Sequence, residues 1–225
     1  MSILVIAEHD NQTIKPSTLS TITAARKIDS DVHLLVAGHN MDGALAQAAN
    51  IHGIMKVLKA EHSGLEHALA ENLSRVICDL ADHYTHILAP ATTFGKNVMP
   101  RVAALLDTQQ ISDITAVIDG DTFERPIYGG QAIATVKSSD TKKIVTVRST
   151  MFDAVTPEGG NAPTEEVTAH ADFDKTAFIS LEESKSDRPE LTSAGIVGSG
   201  GRGVGSGGDE ADGEQGDEFP QRHGV

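Results

Sequence analysis

Two hydrophobic periodicities alternate along the first 110 residues of the chain. Short continuous apolar runs, typical of strands buried on both faces, are followed by longer segments with apolar residues at helical spacing. The predicted strands are residues 2–7, 32–37, 55–58 and 86–89, and the predicted helices are residues 17–28, 41–49, 65–80 and 97–106. This alternation predicts an α/β fold, with a mostly parallel sheet and helices on both of its faces.

The pattern changes after about residue 110, where short apolar runs are separated by glycine, serine and aspartate turns. The pair Asp119-Gly120 follows an apolar run and is typical of a hairpin. Further strands are predicted at 122–128, 132–136 and 143–147. Together these segments predict an antiparallel section added to the α/β sheet. Residues 151–170 are rich in proline and glycine and predict a loop, and residues 178–181 predict one more edge strand.

The last part of the chain has a third composition. The charged residues 182–189 predict an exposed linker, and residues 191–197 predict a new strand. Glycine and acidic residues then dominate with no periodicity, and such a segment cannot bury enough apolar surface to become ordered. We therefore predict a folded domain at 1–185, a linker with a first strand and glycine motif at 186–206, and a disordered tail at 207–225.

Charge and composition exclude several classes of function. The 225 residues include 18 Lys and Arg against 32 Asp and Glu, a net charge of −14. A chain this acidic is a poor match for nucleic acid or for acidic membranes, because both require clustered cations. The single cysteine, Cys78, excludes an internal disulfide and is predicted to lie in the core. The start, Met1 to Glu8, lacks the basic region of a targeting peptide, which predicts a bacterial cytoplasm, or a mitochondrial matrix if a presequence is missing.

A glycine motif near the end is the first candidate for chemistry. Residues 198–203 match G-x-G-x-x-G after a predicted strand, a pattern that lets backbone N–H groups approach a pyrophosphate. The helix that should follow is absent, because Gly205 to Asp209 is hostile to helix formation. Taken alone, the motif is open to two interpretations, a dinucleotide-binding site and a flexible glycine tail. Arg202 is its one chemically distinctive side chain, since a guanidinium stacks on rings and bonds phosphate.

Two other candidates are weaker. His83 and His86 are three residues apart, but a predicted helix ends and a predicted strand begins between them. The two side chains therefore do not share one helix face, and surface or capping roles are favoured over metal binding. The segment 89–92 lies where a parallel strand ends, the usual ligand crevice of open α/β sheets. Thr92 and Thr93 could hold a nucleotide there, whereas the simpler interpretation is that Thr93 or Asn97 caps the next helix.

Several longer stretches carry a resemblance to a known family. They are MSILVIAE at the start, HILAPATTFGKNVMPR at 86–101, QQISDI at 109–114, AIATVKS at 132–138 and SDRPEL at 186–191. Through them, residues 1–197 resemble the alpha subunit of an electron transfer flavoprotein.

The resemblance implies a function that composition did not indicate. It implies an N-terminal α/β domain that packs on a beta subunit, and a C-terminal doubly wound domain that holds FAD. The heterodimer would carry electrons from flavoprotein dehydrogenases to a membrane quinone oxidoreductase, as in fatty acid oxidation, and would be an electron carrier rather than an enzyme. Ser199, Gly200, Gly201 and Arg202 match the family's glycine motif, which implies that they bind FAD, with Arg202 against the flavin.

The resemblance ends after Ser206, where the family continues into a helix and further flavin contacts. We therefore expect a truncated or frameshifted C-terminal part. An alternative is a docking module that binds the beta subunit without holding FAD. A more distant alternative is a nucleotide-binding α/β domain that uses the crevice at 89–92.

Overall fold

The computed structural model describes residues 2–182 of the chain. Contacts between Cα atoms group the chain into Met1–Ser180 and Leu181–Val225, and all the elements below belong to the first of these units. The strands are β1 (Ile3–Ile6), β2 (Val32–Gly38), β3 (Lys56–Glu61), β4 (His86–Pro90), β5 (Gln110–Ile114), β6 (Ala116–Val117), β7 (Thr122–Ile127), β8 (Ala132–Lys137), β9 (Lys143–Val147) and β10 (Thr164–Glu166). The helices are α1 (Pro16–Ile28), α2 (Asp42–Asn50), α3 (Ala70–Leu80) and α4 (Thr93–Leu105).

Seven strands form a parallel sheet in the order β10-β3-β2-β1-β4-β9-β5. Strands β2 and β3 add outward on one side of β1, whereas β4 lies on its other side. The direction of winding therefore changes between β1 and β4, and this topological switch point is where open α/β sheets usually bind ligands. The predicted fold class, a mostly parallel sheet with helices on both faces, is confirmed.

Alternate residues of the central strands feed two separate hydrophobic cores. In β1, Ile3 and Val5 pack with α1 and α2 on one face of the sheet, while Leu4 and Ile6 pack with α3 and α4 on the other. All four positions of β1 are buried, as are all five of β4 and of β9. A strand covered on both faces needs apolar side chains at almost every position, which explains the continuous runs in the sequence.

Strands β6, β7 and β8 form a separate antiparallel sheet, which we call the ribbon (residues 116–137). Phe123 of β7 is fully buried and joins the core on the α1 and α2 face, with Val117 and Val136 packed against that core. The predicted antiparallel section therefore exists, but it is a second sheet packed on the core of the parallel one.

The prediction for residues 143–147 was wrong in its partner strands. They form β9, an internal strand of the parallel sheet between β4 and β5. Strand β5, at 110–114, was not predicted at all. The prediction followed chain order, in which 143–147 comes directly after a hairpin, whereas the largely apolar character of the run suits a central parallel strand.

Other boundaries also differ from the predictions. Helix α3 begins at Ala70 rather than at 65, because Ala68 has φ of 49° and interrupts the helix, and α4 begins at Thr93 rather than at 97. The predicted loop at 151–170 contains β10, and residues 178–181 form no strand. The predicted strand at 191–197, the domain limit at 185 and the segments 186–206 and 207–225 lie outside the described residues.

Candidate functional site

The residues predicted to bind FAD lie beyond the part of the chain that the structure describes. Ser199, Gly200, Gly201 and Arg202 fall after residue 182, so their role stays a prediction. Within residues 2–182, two features bear on function. One is the switch point between β1 and β4, and the other is the exposed end of the ribbon.

The switch point is occupied by the side chain of Glu8, which follows β1 closely. Its Oε2 atom accepts a hydrogen bond from the Ser17 hydroxyl at 2.8 Å and another from the Thr92 hydroxyl at 2.9 Å. Its backbone N–H donates to Thr18 Oγ1 at 2.9 Å, and its carbonyl accepts from the N–H of Lys15 at 2.9 Å. Glu8 therefore ties the end of β1 to the start of α1 and to the start of α4.

The two helices that begin beside Glu8 lack anionic caps of their own. Neither α1 nor α4 has a side-chain hydrogen bond at its N-cap, and neither has an acidic residue in its first turn. The N-terminus of a helix carries partial positive charge and unpaired N–H groups, which favour a nearby anion. The carboxylate of Glu8 therefore places one negative charge beside two helix N-termini, where a phosphate group would lie in a nucleotide-binding relative of this fold.

Close packing also narrows the crevice from the α4 side. A Cβ atom added at Gly95 would lie 1.9 Å from the carbonyl oxygen of Pro90, at the end of β4. Only glycine lets the first turn of α4 approach the strand this closely. The crevice at 89–92 is thus bounded by backbone on one side and by a carboxylate on the other.

These contacts bear on the interpretations of Thr92 and Thr93. Thr92, the N-cap of α4, neither caps the helix with its side chain nor points to a free crevice, because its hydroxyl bonds Glu8. The expectation that Thr93 or Asn97 caps this helix was wrong, because Thr93 is the first residue of α4 and Asn97 lies within it. A nucleotide phosphate would have to displace the Glu8 carboxylate, since two negative charges repel strongly in a partly buried site. The described residues at the switch point therefore fit neither a nucleotide nor the pyrophosphate of FAD.

The histidine and cysteine candidates have structural surroundings. His86 is buried, its Nε2 lies 2.6 Å from the carbonyl oxygen of Gly120, and its Nδ1 lies 2.9 Å from the Thr85 hydroxyl. Burial lowers the pKa of His86, which favours the neutral ring, and both ring nitrogens have hydrogen-bond partners. Cys78 is half-buried beside the core, and burial raises the pKa of its thiol to about 11, which disfavours the reactive thiolate. No metal-binding group of three or more side chains is found among residues 2–182.

The far end of the ribbon exposes large apolar side chains. We call this region the hairpin tip, defined as residues 126–133. It contains Ile127, Tyr128 and Ile133, whose exposed fractions are 40%, 86% and 57%. Strand β8 pairs only with β7, so its outer edge of N–H and C=O groups is unpaired among the described residues. Exposed apolar side chains and a free strand edge are features typical of protein interaction surfaces.

Sequence reasoning missed both Glu8 and the hairpin tip as functional features. Glu8 lies in the stretch MSILVIAE, which carries the family resemblance. An acidic residue directly after a buried strand does not by itself indicate which helices its carboxylate will contact. The hairpin tip could have been recognised from the sequence, because β8 carries apolar residues on both of its faces. An antiparallel sheet with one face in water would keep that face polar.

Fold and site together define a doubly wound α/β domain with a closed switch point and an appended antiparallel ribbon. Comparison with known families is consistent with this class. Residues 3–172 match the family model described as the electron transfer flavoprotein domain. The chain belongs to the electron transfer flavoprotein family, and its curated relatives place it with the alpha subunits.

The relatives cover most of this chain but not the reverse. The chain is 54% identical over 207 residues to "Electron transfer flavoprotein subunit alpha" of Pseudomonas aeruginosa, covering 92% of the chain and 67% of that protein. It is 50% identical to the alpha subunit of Paracoccus denitrificans, with the same two coverages. It is 46% identical to the mitochondrial alpha subunit of Dictyostelium discoideum, of which it covers 62%. The chain thus spans about two thirds of the length of these relatives. No helix among residues 2–182 is long and apolar enough to cross a membrane.

Proposed function

We propose that this chain acts as the alpha subunit of an electron transfer flavoprotein. In this role it pairs with a beta subunit and carries electrons through FAD, from flavoprotein dehydrogenases to a quinone oxidoreductase, as an electron carrier without a substrate of its own. The 54% identity to a curated alpha subunit carries the proposal. The match of residues 3–172 to the family domain is in line with it.

The proposed flavin contacts lie in the glycine motif. FAD, when bound, supplies the redox chemistry by accepting and releasing electrons. The backbone of Ser199, Gly200 and Gly201 would approach the cofactor closely, because glycine has no Cβ to prevent it. The guanidinium of Arg202 would stabilise the negative charge of reduced flavin. The closed switch point supports a location for FAD outside the described domain.

We propose the hairpin tip as the surface on which the beta subunit docks. Ile127, Tyr128 and Ile133 are all exposed at the hairpin tip, with Ile127 and Ile133 on opposite faces of the ribbon, because Ile127 pairs with Ala132 and Ile133 with Pro126. Aromatic and aliphatic side chains of this kind anchor protein interfaces when a partner desolvates them, so the beta subunit would contact both faces of the tip. The free edge of β8 offers backbone hydrogen bonds to the same partner. The hairpin tip contains no Asp, Glu, Lys or Arg, which suits the core of an interface, because interface cores are depleted in charged residues.

The alternative is a docking module that binds the beta subunit but holds no FAD. The observation that bears on it is the closed switch point, which leaves no cradle for a dinucleotide at that place in the described domain, so that flavin retention depends on residues outside it. The two functions share the docking surface and differ only in whether flavin is retained.

One experiment separates them. The full chain is co-expressed with an electron transfer flavoprotein beta subunit, the complex is isolated by size exclusion, and its visible absorption is recorded. Flavin bands in the complex support the electron carrier, and Arg202→Ala should then shift the flavin reduction potential or release the cofactor. A colourless complex supports the docking module, and no complex at all contradicts both.

A matched pair of variants tests the docking surface. Ile127→Ser with Ile133→Ser should abolish or strongly weaken the complex without unfolding the chain, since both side chains are exposed. The control is Met55→Ser with Leu105→Ser, which removes side chains that are 59% and 55% exposed but lie elsewhere. Equal loss of binding in the two double variants would contradict a specific role of the tip.

A further inference from the structure

The ribbon is joined to the parallel sheet through a distorted residue at the end of β5. Asp113 has φ of 58°, in the left-handed region, and the pairing of β5 with β9 shifts register between Ile111 and Ile114. Two residues after Asp113, Thr115 already pairs with Glu124 of the ribbon through an N–H···O bond of 2.8 Å. The backbone at Asp113 therefore sets the direction in which the chain leaves the sheet.

Strand β9 and the residue that follows it hold Asp113 at both its backbone and its side chain. The N–H of Asp113 donates to the hydroxyl of Thr146, which is fully buried, at 2.8 Å. Arg148 donates from Nε to both carboxylate oxygens at 3.2 Å and forms a further, short hydrogen bond through its terminal nitrogen. A fork of this kind fixes the carboxylate in orientation as well as in distance.

A second set of contacts attaches the ribbon to the parallel sheet at a distance from Asp113. In the turn between β6 and β7, the Gly120 carbonyl meets His86, and the Asp121 carboxylate pairs with Lys143 at 2.6 Å. These two contacts reach the start of β4 and the start of β9, whereas Arg148 lies just after the end of β9. The base of the ribbon is thus held at both ends of the parallel strands, while the hairpin tip has no large buried side chain of its own.

The position of the hairpin tip therefore depends on the angle at which the ribbon is attached to the parallel sheet. From Thr122 to Ile127 the strand advances roughly 17 Å, at about 3.3 Å per residue, so a tilt of about 10° at the base moves the tip by about 3 Å. A displacement of that size separates apolar groups that must touch within about 4 Å to form an interface.

We propose that Asp113 and Arg148 are positioning residues for subunit assembly. Their ion pair aims the hairpin tip at the beta subunit, so that the docking surface is preorganised before the partner arrives. A preorganised surface binds more tightly because less conformational entropy is lost on association. This inference rests on the proposed docking function and adds to it the residues that control the surface from outside it.

The test compares affinity for the beta subunit with stability. Arg148→Lys keeps the charge but removes the fork, and Asp113→Asn keeps a residue that tolerates positive φ but removes the carboxylate charge. Each variant of the full chain is titrated against purified beta subunit by calorimetry, and its Tm is measured alone. We expect the affinity to fall by about tenfold while Tm changes little. The two conservative variants alter opposite partners of the ion pair, so an equal loss in both assigns the effect to the pair itself.

A control removes an ion pair at the other edge of the sheet, in which the cation is about as exposed as Arg148 and the carboxylate is more exposed than that of Asp113. Glu165→Gln breaks the pair with Lys56, 2.7 Å long, which joins β10 to β3, and should leave affinity unchanged. Unchanged affinity in both Arg148→Lys and Asp113→Asn would overturn the positioning role. If the double variant at Ile127 and Ile133 also binds normally, the docking proposal itself has failed; if only that variant loses binding, the positioning role alone has failed.

Discussion

The parallel sheet and the ribbon place their apolar residues in opposite environments. Every position of β4 and β9 is buried, whereas no position of β8 is. The sheet satisfies its apolar side chains within the chain, between two layers of helices. Within the ribbon only Phe123 is buried, whereas Ile118, Tyr128 and Ile133 are exposed to solvent. The contrast separates a sheet that stabilises the fold from an exposed hairpin tip, which is the surface that we propose for the beta subunit.

The sharpest test of this contrast lies within the ribbon itself. Phe123→Ala removes a fully buried ring, and we expect it to lower the free energy of unfolding by about 3–5 kcal/mol. Ile133→Ala, at 57% exposure, should change it by less than about 0.5 kcal/mol. Urea denaturation followed by circular dichroism measures both. Similar losses would mean that the base and the tip do not differ as described.

Two glycines extend the comparison to the backbone. Gly95→Ala forces a Cβ against the backbone of Pro90, and we expect a loss of about 3 kcal/mol because neither backbone segment can yield cheaply. At Gly129, φ is 61° but no atom lies within 4 Å of an added Cβ. Gly129→Ala should therefore cost only about 1 kcal/mol, for the left-handed conformation. Thermal unfolding of the two variants gives the order, and a reversed order would contradict the close packing of α4 on β4.

The carboxylate at the switch point should have a smaller, measurable effect. Glu8→Gln keeps the size of the side chain but removes the charge beside two helix N-termini, and we expect a loss of about 1–2 kcal/mol in the free energy of unfolding, measured by urea denaturation. Glu71→Gln, in the first turn of α3, is the control and should cost less than about 1 kcal/mol, because it serves one helix. Equal effects would show that Glu8 is not shared between α1 and α4.

The smallest expected effect is a dependence of stability on pH. Burial lowers the pKa of His86, His33 and His9 below the ordinary value of 6.5, so these rings take up protons when the chain unfolds. Their contribution is fully present above about pH 6.5 and is lost as pH falls through the lower pKa values of the folded state. The free energy of unfolding, measured by urea at several pH values below neutrality, should decrease with falling pH.

A single variant attributes part of that slope. In His86→Gln, an amide replaces the ring and can still donate to Gly120, but it does not titrate. The slope below about pH 6.5 should become shallower in this variant. An unchanged slope would mean that the burial of His86 beside Lys143 and Asp121 does not govern its protonation.

Much of the sheet could be predicted because a strand buried on both faces has apolar residues at almost every position. The apolar runs of β1, β2 and β4 require side chains that suit two covered faces, and this requirement is visible in the residues themselves. Strand β9 has the same pattern at 144–147, yet its partners depended on a crossover that chain order concealed. Strand β10, Thr164 to Glu166, is entirely exposed and has no such pattern, because its pairing with β3 depends on backbone hydrogen bonds.

The sequence by itself determined the α/β class, the presence of hairpin strands and the resemblance to the alpha subunits of electron transfer flavoproteins. These follow from periodicity and from long matching stretches, which are properties of neighbouring residues. Only the tertiary structure decided that Glu8 meets Thr92, 84 positions away, and that Arg148 holds Asp113, 35 positions away. The topology of the fold brings the two members of such a pair together. A single carboxylate or guanidinium in the sequence does not indicate which distant residue it will contact.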